Sequence, residues 1–182
     1  MNLTATLLLA FYLSFGSIGI INTDYQAINT GNDDKPELFY SKKGKFKIWF
    51  PCDKPELEKS KVHTDIGDIK LYTYKCIDNL SVFMIGYSDY PEKYMSVSND
   101  EDLLDGAKGG FIKQMDLQVT EEDWFNISKY KGKYFKAHNS EYYASVRHVI
   151  VKNRLYQFVV VTKGSDEPNE KINKFFTSLI LM

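Results

Sequence analysis

Cys52 and Cys76 are the only two thiols in this 182-residue chain, and His63, His138 and His148 are its only imidazoles. A single cysteine pair spaced by 24 positions is most economically a disulfide, worth roughly 3 kcal/mol in the chain-entropy picture if unstrained. Zinc is poorly served, because there is no C-x-x-C and the histidines are scattered. A thiol nucleophile needs a partnered histidine and a depressed pKa, and neither cysteine stands in such a context. The acids Asp100, Glu101, Asp102 and Asp105 lack the alternation and glycine of a calcium loop but suit the first turn of a helix. Glu121, Glu122 and Asp123 could offer paired carboxylates for glycoside hydrolysis, yet three consecutive acids read more simply as a solvated turn. LLDGAKGGF is not a phosphate loop, since its lysine precedes the paired glycines, and G-x-S-x-G is absent. The sequence therefore assigns no catalytic, cofactor-binding or metal-binding residue, and a non-enzyme is the expectation.

Two phrases interleave lysines with aromatics. SKKGKFKIWF carries Lys42, Lys43, Lys45 and Lys47, and SKYKGKYFK carries Lys129, Lys131, Lys133 and Lys136. That composition suits contact with anionic groups combined with stacking. The plainer alternative places the lysines on the wet face of an edge strand, where they block sheet-to-sheet association. A formal net charge of −1 provides no long-range field to gather a polyanion, so nucleic acid is not an expected partner.

The elements that must position these residues follow from composition and period. With 43% hydrophobic and 26% charged residues, the chain reads as one globular domain, and thirteen Tyr and twelve Phe favour a sheet-rich core. Residues 1–19 hold an uncharged apolar run with Ser17 and Gly19 before Ile20, which reads as a secretory signal or, if retained, an N-terminal anchor. Residues 20–38 are polar and Asn- and Asp-rich, a flexible tether. The domain then spans 39–182. KFKIWFP alternates as a half-buried strand stopped by Pro51, and a polar connection leads to IKLYTYKCI. Asp78-Asn79 turns that strand into LSVFMIGYSDYP, apolar on both parities and hence central. Ser98 and Glu101 form a capping box ahead of a helix bearing Leu103, Leu104, Ala107, Phe111 and Met115. Gly106, Gly109 and Gly110 weaken that helix unless it approaches the sheet closely. Four strand-like segments follow, with Lys152-Asn153 as the last tight turn. Pro168 opens a second helix with Ile172, Phe175, Phe176 and Leu179 on one stripe.

This order of elements, with the VFMIGYSDYP phrase, the R-L-Y strand start and the terminal F-F-x-S-L helix, resembles the PsbP-like domain over residues 39–182. The resemblance implies an α+β fold, a central antiparallel β-sheet flanked by helices on both faces as an α/β/α sandwich. It implies an accessory or binding protein, as among exported bacterial members without assigned activity, and it brings no catalytic motif onto any residue here. The expected role is that of an exported, periplasmic or secreted binding protein acting through contacts with an envelope protein, with membrane-surface contact as a further expectation. A carrier or sensor of a small apolar ligand between helix and sheet, in space left by Gly106, Gly109 and Gly110, is the alternative.

Overall fold

A computed structural model of the chain describes residues 37–64, 67–164 and 170–182. The expected signal or anchor, most of the tether, and Pro168 lie outside the described residues. The strands are β1 (Phe39–Ser41), β2 (Phe46–Ile48), β3 (Glu56–Thr64), β4 (Gly67–Asp78), β5 (Ser81–Asp89), β6 (Gln118–Ile127), β7 (Tyr130–His138), β8 (Tyr142–Val151), β9 (Arg154–Lys163) and β10 (Ile180–Leu181). The helices are α1 (Glu92–Met95), α2 (Asp100–Met115) and α3 (Glu170–Thr177).

Seven strands form one antiparallel sheet in the order β3-β4-β5-β9-β8-β7-β6, and β1-β2-β10 form a second of three. The alternation of Phe46, Ile48 and Phe50 against Lys45, Lys47 and Trp49 has its physical outcome here. Phe46, Ile48 and Phe50 are buried with Phe175 and Phe176 of α3 against Phe83, Ile85, Tyr87 and Phe158 of the large sheet. On the other face, α2 inserts Leu103, Leu104, Ala107 and Phe111. β5 and β9, the strands with apolar residues on both parities, sit centrally and are buried on both faces.

The α/β/α sandwich expected from the resemblance is corrected by this architecture. Strand accounts for 55% of the described residues and helix for 20%, and the fold is β-rich. One face of the large sheet carries α2, but the layer on the other is largely the three-stranded sheet, with α3 only eight residues long. The polar connection between Pro51 and Ile69 is the main cause. ELEKSKVHT is not a loop but the nine-residue edge strand β3, paired with β4 from Glu56↔Lys75 to Thr64↔Gly67. An edge strand with both faces partly wet needs no apolar alternation, and its charges keep the edge from pairing with another chain.

Local corrections have equally simple reasons. The helix cap is Asn99 rather than Ser98, and its side-chain oxygen accepts from the Asp102 amide at 2.7 Å. A methyl group on Gly106 or Gly109 would meet no atom within 4 Å, so neither residue serves close approach to the sheet. A glycine that does require its missing side chain is Gly132, where a Cβ would lie 2.5 Å from the Phe125 ring and 2.6 Å from the His148 carbonyl. Glu121, Glu122 and Asp123 lie within β6, beside a register shift between Val119 and Glu121, and not in a turn.

Candidate functional site

Cys52 follows the first buried strand and Cys76 lies near the end of β4. Their sulfurs are 2.10 Å apart with Cα atoms separated by 6.2 Å. β3 makes this possible: it runs back along β4, so the chain leaving Pro51 returns beside Lys75. The pairing joins the small sheet to the large one. Position 37, where the described chain begins, lies at this same end, in a cleft of about 590 Å³ that also touches Phe39, Trp49, Pro51, Cys52 and Asp53.

The three imidazoles take separate roles. His63 sits in the β3–β4 hairpin with Nδ1 2.8 Å from Asp68 Oδ1, on an exposed edge. His138 stacks on Tyr143 with ring centroids 5.3 Å apart. His148 is fully buried, beside Gln157 and edge-on to Phe135. Burial, with a smaller contribution from the nearby Lys108 charge, pushes its pKa down from 6.5 to about 3, so it is neutral in the fold. It belongs to a polar row in cross-strand register beneath α2, running Thr73, Gly86, Gln157, His148 and Lys133. Among the described residues no nucleophile–base pair is assembled, and no three His, Cys, Asp or Glu side chains gather as a metal site.

The lysine phrases divide into structural and presented members. Lys133 is buried and its ammonium contacts both Asp105 of α2 and Glu122 of β6, 3.2 Å in the latter case. Burial alone would lower its pKa, but these two carboxylates outweigh that effect and hold it raised. Lys108 bonds the same Glu122 at 2.7 Å and holds that carboxyl below its usual range. Lys131 lies 3.9 Å over the Trp124 ring, and Lys136 is 3.3 Å from Glu121. Lys43 donates to the Tyr72 hydroxyl at 2.9 Å, Lys47 lies 5.6 Å from the Tyr40 ring centre, and Lys42 is exposed. The expectation of lysines on an edge strand does not describe the first phrase, because β2 is the middle strand of its sheet.

The fold does bring one member of each phrase together. Lys45 from the β1–β2 turn and Lys129 from the β6–β7 turn line one cleft of about 550 Å³, together with Lys152 and Arg154 of the β8–β9 hairpin and Tyr130. Tyr156 and Arg154 build it. The Tyr156 hydroxyl donates to the Gly44 carbonyl at 2.7 Å, and Arg154 Nη1 donates to the Lys43 carbonyl at 2.8 Å. The same guanidinium grips Asp89 through Nε and Nη2 at 2.5 and 2.7 Å, a bidentate pairing that raises its pKa further. The Met182 amide donates to the Lys45 carbonyl at 3.0 Å. The β1–β2 turn is thus fastened from below and Lys45 is carried at the rim. Lys45, Lys129 and Lys152 make no ion pair among the described residues. Neither Lys152 of the Lys152-Asn153 turn nor Arg154 of the R-L-Y phrase is among the surface residues expected from sequence. The signal for the cleft lay in three lysine-bearing tight turns, but only strand pairing shows that they share one end.

This end is opposite the disulfide. Arg154 pairs with Asp89 at one end of the central β5–β9 ladder, whereas Cys76 aligns with Phe83 and Val160 toward the other. Six residues of β9 separate the two levels, roughly 20 Å at strand rise. No helix among the described residues is long and apolar enough to cross a membrane. No family model matches the chain, and no curated protein matches it.

Proposed function

We propose that this is an exported binding or accessory protein that acts through contacts with an envelope protein, using the turn end of its large sheet as the interaction surface. The observation that carries the reading is the convergence of Lys45, Lys129 and Lys152 on one cleft, without an ion pair among the described residues. Tertiary structure there spends Arg154 and Tyr156 on holding a surface turn in place, which is what a preorganised binding site requires. The disulfide supports an oxidising compartment, since such bonds persist outside the reducing cytosol.

The alternative of an apolar ligand held between helix and sheet has less support. Leu103, Leu104, Ala107 and Phe111 are each at most 4% exposed and occupy that space. In-cell crosslinking with a lysine-reactive reagent tests the proposal. Crosslinks from Lys45, Lys129 or Lys152 to one envelope protein are expected, whereas crosslinks confined to lysines of β3 and β4 would displace the surface.

A further inference from the structure

We propose that the turn-end cleft receives an extended, carboxylate-bearing segment of the partner. This rests on the reading of that end as the interaction surface. Three observations define the ligand chemistry.

The first is charge. Arg154 and Asp89 both line the cleft, and three of the five guanidinium N–H groups are taken, by Asp89 at Nε and Nη2 and by the Lys43 carbonyl at Nη1. The cationic groups without an ion pair among the described residues are ammonium groups, on three separate turns. A phosphate is best read by a planar guanidinium fork, and the one guanidinium lining this cleft is largely committed. Separate ammonium groups suit several separate carboxylates along a chain.

The second is backbone conformation. Lys45 has φ 56° and Lys152 has φ 60°, and Ser128 immediately before Lys129 has φ 55°. These are left-handed positions where glycine is the ordinary solution for a tight turn. Local preference therefore favours glycine at 45 and 152, yet lysine stands at both, and such a conflict marks functional positions.

The third is shape. The cleft is concave, and its volume of about 550 Å³ admits a few side chains. Tyr130 and Val151, both partly exposed in the lining, give the methylene groups of an acidic side chain an apolar footing beside the ammonium groups. A flat lipid surface would meet the rim and leave that footing unused.

The test is fluorescence anisotropy of labelled hexaglutamate with the full chain at physiological ionic strength. Hexaglutamine is the uncharged control, and vesicles of phosphatidylcholine and phosphatidylserine are the lipid control. The variant combines Lys45→Gly, Lys129→Gln and Lys152→Gly, in which the two glycines suit the backbone they enter. A Lys54→Gln, Lys163→Gln chain removes exposed lysines at the opposite, disulfide end. Saturable binding of hexaglutamate but not hexaglutamine is expected, weakened about tenfold or more in the triple variant and unchanged in the control variant. Absence of binding, or equal weakening in both variants, overturns the inference. So does vesicle binding that depends on the three lysines when the peptide does not bind. Failure with the peptide alongside crosslinks from these lysines would leave the proposed surface standing and remove only the carboxylate ligand.

Discussion

Tyr156 and Gly44 are 112 residues apart in sequence, and the hydroxyl of one donates to the carbonyl of the other at 2.7 Å in a buried contact. That bond couples the central strand of the large sheet to a surface turn of the small one. Gly44 is held tightly on its other side as well, because a Cβ there would lie 2.4 Å from the Phe46 ring.

Tyr156→Phe should therefore leave a buried carbonyl without its donor. We expect a loss of about 1–3 kcal/mol in urea unfolding, with faster hydrogen exchange over residues 42–47 than elsewhere. An unchanged exchange pattern would mean that Arg154 and the Met182 amide hold the turn without it.

Cys52 and Cys76 join the two sheets. Reduction, or the Cys52→Ser, Cys76→Ser chain, should cost roughly 3 kcal/mol while leaving a cooperative transition, because the aromatic core between the sheets persists. Intact mass without reductant should be lower by about two hydrogens than with it. Quantitative alkylation of both thiols in the native protein isolated without reductant would contradict the pairing.

Acid sensitivity should trace to His148. Its pKa is lowered in the fold to about 3, whereas the unfolded chain binds the proton near 6.5. The stability that this neutral histidine contributes is fully present above about pH 6.5 and is lost as pH falls toward about 3, by about 1.4 kcal/mol per pH unit. His148→Gln should flatten that limb of the stability profile relative to the native chain. Parallel profiles for the two chains between about pH 7 and pH 4 would assign the acid loss elsewhere.

Gly106 and Gly109 sit inside α2 with open space where a side chain would go. Alanine at either position should stabilise the chain by about 0.5–1 kcal/mol in denaturant unfolding, since helix propensity improves and nothing is displaced. Destabilisation would show that these positions face a contact outside the described residues.

Individual strands were legible from period and chemistry, but the layering was not, since the expected α/β/α sandwich is a β-rich fold of two sheets. β5 announces itself because apolar residues on both parities have few other uses, and Lys152-Asn153 marks the β8–β9 hairpin by turn chemistry. β3 was hidden because the edge strand draws its stability from pairing with β4 and shows no apolar face. Glu121, Glu122 and Asp123 misled for the same reason, as wet edge residues of β6 resemble a turn. The lysine phrases were visible as compositions. Which lysines are used internally and which are presented depends on partners distant in sequence, such as Asp105 for Lys133.

The central claim is that the turn end, and no other surface, engages an envelope protein. Affinity capture after in-cell crosslinking measures this most directly, comparing the native chain with the Lys45→Gly, Lys129→Gln, Lys152→Gly chain at matched expression. The account predicts one stoichiometric envelope partner, recovered with the native chain and lost with the variant. Equal recovery of that partner by both chains would contradict it.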